Sequence, residues 1–180
     1  MSLLKSTTLS LAFVLSLSAL AGAAESPNLG QPISEADLKA WDISIGPDGK
    51  GLPAGQGTIP QGEAIYAAKC QACHGEKGAG RPNDALVGGF DTLAGDKPAL
   101  KTVGSYWPYP TTFFDYVRRA MPWNEPKSLT NEDVYALSAY VFSLNGLIKP
   151  DAVMNAQTLP QVQMPNRDGF ITFPRTAKID

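Results

Sequence analysis

Histidine, cysteine and methionine are all scarce in this sequence. The 180 residues include one histidine, two cysteines and four methionines. A structural zinc site normally needs four ligands, usually cysteine and histidine, so this chain could complete such a site only with carboxylates. A metal centre held between two histidines of one chain is excluded.

Basic clusters and long apolar runs are also lacking. The chain has 15 basic and 17 acidic side chains, which gives a net charge of −2 at pH 7. Because no basic cluster could follow a phosphate backbone, we do not expect nucleic acid as a partner. After residue 20, no stretch is apolar for long enough to cross a bilayer.

The first 23 residues have the pattern of a secretory signal peptide. Lys5 gives a positive start, residues 9–20 are apolar apart from serines, and Ala21-Gly22-Ala23 is a cleavage site of the A-x-A type. We expect cleavage after Ala23, export to the periplasm and no membrane span after cleavage, with an uncleaved anchor as the alternative. Cleavage would remove one lysine and no acid, leaving 14 basic against 17 acidic side chains, net −3.

The two cysteines and the single histidine stand together in Cys70-Gln71-Ala72-Cys73-His74. Two thiols three residues apart, with an imidazole directly after the second, are the attachment signature of c-type haem. The thiols can reach the two vinyl groups on one side of a porphyrin, and the histidine can turn its ring onto the iron. The motif therefore predicts one covalent haem c on Cys70 and Cys73, with His74 as an axial ligand.

Paired thiols also occur in proteins without haem. A redox dithiol of the thioredoxin type would follow a strand in a βαβ unit, whereas residues 62–69 contain good helix formers and no β-branched cluster. A disulfide between Cys70 and Cys73 would close a very small loop and add little stability by the entropic account. An exported zinc or dithiol protein is kept as an alternative hypothesis.

Methionine is the expected second axial ligand, because no other histidine exists and methionine is the usual alternative. Besides the initiator, the candidates are Met121, Met154 and Met164. A helix predicted over residues 112–120 has to end before Pro122, which places Met121 on a corner ahead of the last helix. We expect Met121 to be the ligand, with Met164 as the second choice and an open five-coordinate iron as the third.

Two helices are predicted to pack across each other in the central domain. The first covers residues 60–72; the second opens with a capping box at residues 130–133 and stops at Asn145-Gly146. Since glycine is unfavourable inside a helix, Gly62 suggests a close approach of the second helix. The expected contact consists of four positions: Gly62, Tyr66, Leu137 and Tyr140.

The segments around these helices carry weaker signals. We expect a glycine-rich loop over residues 75–89 and a short helix near residues 93–103. Aromatic residues at positions 106, 107 and 109 would fill the core or contact haem propionates.

Before the domain, a capping box at residues 34–37 opens a helix through Trp41, and residues 46–57 form a loop. The tail from residue 148 is too apolar for disorder, so it should pack on the haem domain or on a partner.

Together these motifs resemble a class I cytochrome c over residues 58–147. A wider resemblance covers both extensions: the chain is similar to the cytochrome subunit of the Sox-type sulfane (sulfur) dehydrogenase and the related sulfite dehydrogenase. Five segments carry it: Trp41-Asp42-Ile43, Pro47-Asp48-Gly49, residues 102–109 (TVGSYWPY), residues 115–122 (DYVRRAMP) and residues 164–170 (MPNRDGF).

The resemblance implies an all-α class I cytochrome c fold around one covalent haem, with irregular N- and C-terminal extensions. The expected segments are a signal peptide (1–23), an N-terminal extension (24–57), a haem domain (58–147) and a C-terminal tail (148–180). It also implies that the backbone carbonyl of Pro82 accepts a hydrogen bond from the His74 ring.

Function follows from the same resemblance. It implies electron transfer from a molybdopterin-containing dehydrogenase subunit to an acceptor cytochrome. The alternatives are a general electron carrier and a haem enzyme or gas sensor with an open iron.

Overall fold

The computed structural model describes residues 29–171, so residues 1–23, the predicted signal peptide, lie outside the described part. Its elements in chain order are helix α1 (Glu35–Trp41), strand β1 (Gln56–Thr58), helices α2 (Ile59–Lys69), α3 (Gln71–His74), α4 (Pro110–Ala120) and α5 (Asn131–Leu144), and strand β2 (Val153–Asn155). Short 3₁₀ turns cover Glu76–Gly78 and Leu159–Gln161. In the described part of the chain, no helix is both long and apolar enough to cross a membrane.

Helix α1 belongs to a separate unit that ends at Trp41. The Ser34 hydroxyl accepts a hydrogen bond from the Asp37 N–H (3.1 Å) and donates one to the Asp37 carboxylate (2.6 Å). The predicted start and end of this helix are confirmed.

Helices α2 and α5 pack directly against each other, as predicted. A Cβ atom at Gly62 would overlap the carbonyl oxygen of Ala136 and lie 2.7 Å from the Cβ of Tyr140. The rings of Tyr66 and Tyr140 are 5.3 Å apart at an angle of 51°. The absence of a side chain at Gly62 therefore lets the two backbones touch, with Ala136 rather than Leu137 against the glycine.

Helix α5 is enclosed on all sides. Every residue from Val134 to Phe142 is buried, as expected of a helix in the centre of a core. Strand β1, helix α4 and the tail pack on α5 in addition to α2. Gly57 of β1 lies against the backbone of Ala136, and its partner in β2 is Met154, which is buried.

The tail from residue 148 packs on the domain over much of its described length. Leu159, Val162 and Met164 belong to the same hydrophobic cluster as the residues of α5. Ile171, by contrast, is almost fully exposed. The tail therefore contributes core side chains and is part of the fold.

Two local expectations need correction, and one pair of strands was missed. Residues 93–103 form turns and loop instead of a short helix. Helix α4 begins at Pro110, two residues earlier than predicted, because proline suits the first position of a helix. The β1–β2 pairing was not predicted, since three-residue strands give little periodic signal.

The segment before β1 is fastened to the helices by polar contacts. The Arg119 guanidinium donates to the carbonyl oxygen of Ile43 (2.9 Å) and to the Asp115 carboxylate (2.7 Å). The Tyr135 hydroxyl donates to the carbonyl oxygen of Pro53 (2.8 Å). These bonds hold the segment against the helices of the core.

We expect Tyr135→Phe to lower the free energy of unfolding by about 1 kcal/mol, because one hydrogen bond of a buried side chain is lost. Burial raises the pKa of Tyr135 from about 10 to about 12. The folded state thus favours the neutral phenol, and its stabilising effect is complete below pH 10 and lost as the pH rises towards 12.

Urea unfolding of both proteins at pH 8 and pH 11 checks this prediction. The wild type should lose its advantage over Tyr135→Phe at the higher pH. An equal difference at both pH values would contradict it.

Candidate functional site

The Cys-x-x-Cys-His motif occupies one tight helical turn. Cys70 ends α2, where its N–H donates to the carbonyl oxygen of Tyr66 (2.9 Å), and it also caps α3. The Cys70 carbonyl oxygen accepts hydrogen bonds from the N–H groups of Cys73 (3.1 Å) and His74 (2.9 Å). Residues spaced three and four apart share one face of a helix, so the two thiols and the imidazole project from the same side.

The two thiols differ in their surroundings. Both are free; Cys73 is exposed and Cys70 is half-buried. Burial raises the pKa of Cys70 to about 11, although the neighbouring Lys69 opposes this rise. Catalytic dithiols have thiolates stabilised at low pKa, and a helix, not a strand, leads into Cys70. Both observations argue against a catalytic dithiol at Cys70 and Cys73.

The imidazole of His74 is oriented by a backbone carbonyl. Its Nδ1 lies 2.9 Å from the carbonyl oxygen of Asp84. Because a carbonyl oxygen can only accept, Nδ1 carries a proton, and in the neutral imidazole Nε2 then keeps a lone pair. This arrangement is typical of histidines that bind a metal through Nε2.

The prediction of Pro82 as the acceptor is wrong by two residues. The N–H of Asn83 donates to the carbonyl oxygen of Cys73 (2.9 Å). In a trans peptide the C=O and N–H groups point in opposite directions. The carbonyl of Pro82 shares its peptide unit with that N–H, so it points away from the motif.

The loop that follows the motif is held against it by further hydrogen bonds. The N–H of Gly80 donates to the His74 carbonyl oxygen (2.7 Å), and the Tyr66 hydroxyl donates to the Gly75 carbonyl oxygen (2.9 Å). The predicted glycine-rich loop is therefore packed against the motif, beside the histidine.

The three candidate methionines have different environments. Met154 and Met164 are each 3% exposed and belong to the packed core. Met121 follows the last residue of α4 with an extended backbone, and its N–H still donates to the carbonyl oxygen of Val117 (3.1 Å). Its side chain is half-buried at the edge of the core. Met121 can therefore contact a group outside the core, whereas protein atoms enclose the other two.

The aromatic segment before α4 is packed mainly against protein. Each ring has a partner: Trp107 with Phe113, Tyr106 with Phe170, and Tyr109 with the Arg167 guanidinium, at centroid distances of 6.1, 5.3 and 4.4 Å. Contact of these residues with propionates stays a prediction.

Known proteins provide three matches. Residues 57–141 match the family model described as cytochrome c oxidase, cbb3-type, subunit III. A thiosulfate dehydrogenase from Psychrobacter arcticus is 27% identical over 111 residues, which are 59% of this chain and 33% of that protein. A chain in the crystal structure of the sulfane dehydrogenase SoxCD from Paracoccus pantotrophus is 38% identical, with a TM-score of 0.78; the match covers 83% of this chain and 74% of that one.

The chain belongs to the class I cytochrome c family. The predicted all-α class I cytochrome c fold is thereby confirmed, with a small two-stranded sheet as an addition. The chain spans about a third of the length of the thiosulfate dehydrogenase that it matches.

A cytochrome c domain implies haem c, and the residues present fit that group. The two free thiols lie on one face of a helical turn, and His74 has the tautomer that leaves Nε2 available. Met121 supplies a thioether at the edge of the core. This set of sulfur and imidazole donors is the one that class I cytochromes use.

Sequence reasoning missed Asn145 and Thr102 as polar parts of the site. Asn145 was interpreted only as a helix stop, yet its buried side chain binds the backbone of the loop after the motif. The hydroxyl of Thr102 donates to the same loop, at the carbonyl oxygen of Gly88 (2.7 Å). In the sequence each of them is a single polar residue beside an apolar one, which does not indicate these contacts.

Proposed function

We propose that the protein is a periplasmic monohaem c-type cytochrome. It carries electrons from a molybdenum-containing sulfane or sulfite dehydrogenase subunit to a downstream cytochrome. Cys70 and Cys73 would hold the haem by thioether bonds, and His74 and Met121 would be the axial ligands. The hydrogen bond from His74 Nδ1 to the Asp84 carbonyl oxygen, beside two free thiols on the same helical turn, supports this proposal most strongly.

When bound, haem c supplies a one-electron ferric–ferrous couple. The chain's own residues determine how that couple is used. His74 is oriented by the loop, and Met121 is held on a rigid corner at the end of α4. With both side chains as ligands, the site would leave no position for a substrate, so relay of electrons is favoured over catalysis at the metal.

The electron donor is inferred from the matched proteins. The names of both relatives, a thiosulfate dehydrogenase and the sulfane dehydrogenase SoxCD, refer to the oxidation of sulfur compounds. The match to the SoxCD chain extends well beyond residues 57–141, because it covers 83% of this chain. This extent supports a common type of partner subunit. A single Cys-x-x-Cys-His motif supports one haem per chain.

Export is inferred from the pattern of residues 1–23. Haem is attached to this motif on the far side of the bacterial inner membrane in cytochromes of the c type. The signal-peptide pattern and the motif lie in different parts of the chain and indicate the same compartment.

Co-expression with a molybdopterin-containing sulfane dehydrogenase subunit tests the proposal. We expect the two chains to co-purify, and we expect addition of a sulfur substrate without oxygen to reduce the haem. The same addition to the cytochrome alone should leave it ferric. If the molybdenum subunit reduces an artificial acceptor while the haem in the same mixture stays ferric, the proposed donor is wrong.

A further inference from the structure

One buried amide connects the end of α5 to the loop after the haem-binding motif. The Asn145 side chain is 6% exposed. Its Oδ1 accepts a hydrogen bond from the N–H of Gly88 (3.2 Å), and its Nδ2 donates to the carbonyl oxygens of Leu86 (3.1 Å) and Val141 (2.9 Å). Asn145 therefore ties together segments that are 57 and 59 residues apart in the chain.

A second buried side chain holds the same loop from another direction. The Thr102 hydroxyl donates to the carbonyl oxygen of Gly88 (2.7 Å) and accepts hydrogen bonds from the N–H groups of Gly104 and Ser105 (both 3.1 Å). Thr102 is 2% exposed. Gly88 is thus fixed at its N–H by one side chain and at its C=O by another.

The surroundings give the amide little freedom to move. A Cβ atom at Gly104 would overlap the Oδ1 atom of Asn145 and lie 2.6 Å from its Cγ. The loop is also fixed at Leu86, whose N–H donates to the carbonyl oxygen of Gly78 (2.8 Å). Asp84, which orients His74, is only two residues before Leu86.

We propose that Asn145 is a positioning residue for the axial histidine. By holding Leu86 and Gly88, it determines where the Asp84 carbonyl oxygen meets the Nδ1–H of His74. The inference rests on the function proposed above, in which His74 binds the iron through Nε2. A hydrogen bond from Nδ1–H makes the imidazole a stronger electron donor, which stabilises the ferric state. A looser loop should therefore raise the reduction potential.

Asn145→Ala in the full-length, haem-loaded protein tests this role. We expect a higher midpoint potential in a redox titration and faster hydrogen exchange of the His74 Nδ1–H in NMR spectra. Thr102→Val should change both quantities in the same direction, because it releases the Gly88 carbonyl. Asn155→Ala is the matched control. In the wild type, the Asn155 Oδ1 accepts hydrogen bonds from two N–H groups of a turn in the tail. Because no hydrogen bond in the described part of the chain joins this turn to the loop after the motif, the midpoint potential should stay unchanged even if stability falls.

Gly104→Ala gives the same test if Asn145→Ala does not fold, because it keeps the asparagine and crowds its Oδ1. An unchanged midpoint and unchanged exchange, in variants with the wild-type haem spectrum, would overturn the positioning role alone. A wild-type protein that lacks covalent haem would overturn the proposed function and this inference with it.

Discussion

Met121→Ala is expected to abolish the methionine–iron charge-transfer band of the ferric protein. Removal of the thioether would leave the iron with His74 as its only protein ligand, so the spectrum should become high-spin and carbon monoxide should bind without displacing a side chain. The midpoint potential should fall, because methionine ligation raises it. Absorption spectroscopy and redox titration of the purified variant measure these effects.

Met164→Ala is the matched control, because it makes the same chemical change in the core. Met164 is 3% exposed, so this substitution should lower the free energy of unfolding by about 2–5 kcal/mol and retain the band. Met121→His separates ligation from packing, since it should keep a six-coordinate low-spin iron without the band. Loss of the band in Met164→Ala, with its retention in Met121→Ala, would reverse the assignment.

Gly62→Ala should destabilise the protein although alanine is the better helix former. The new methyl group would overlap the Ala136 carbonyl oxygen and lie 2.6 Å from its carbon. A backbone carbonyl inside a buried helix cannot move aside as a flexible side chain can, so α2 and α5 have to separate. We expect the free energy of unfolding to fall by about 2 kcal/mol or more, despite a gain of about 1 kcal/mol in helix propensity. Urea unfolding of the haem-loaded protein measures this change.

Ala67→Gly is the control for this prediction. Ala67 is on the exposed side of the same helix, so the reverse exchange should lower stability by about 1 kcal/mol through propensity alone. If Gly62→Ala proved more stable than the wild type, the close contact of the two helices would be refuted.

Local signals predicted much of the fold. The capping box at Thr130 is present, with the Asp133 N–H donating to the threonine hydroxyl (3.1 Å). The restriction that Pro122 places on its neighbour correctly predicted that α4 would end before Met121. Gly62 indicated where α2 and α5 meet. Each of these features depends on a few adjacent residues or on one glycine.

Features set by contacts distant in the chain were not predictable in this way. Besides α2, helix α5 is covered by β1 and the tail, and neither segment has a strong period of its own. The acceptor for His74 depends on how the loop turns at Asn83, a backbone property without a side-chain signal. Asn145 could be assigned to a helix end, but its contacts with Leu86 and Gly88 exist only after folding.

The absorption spectrum of the purified, exported full-length protein shows whether one haem is bound covalently and ligated on both faces. We expect a c-type spectrum that persists after denaturation, because thioether bonds to Cys70 and Cys73 would keep the haem on the chain. In the native ferric protein we also expect a low-spin iron with the methionine charge-transfer band. A colourless protein, or a high-spin iron with one face open, would refute the proposed electron relay.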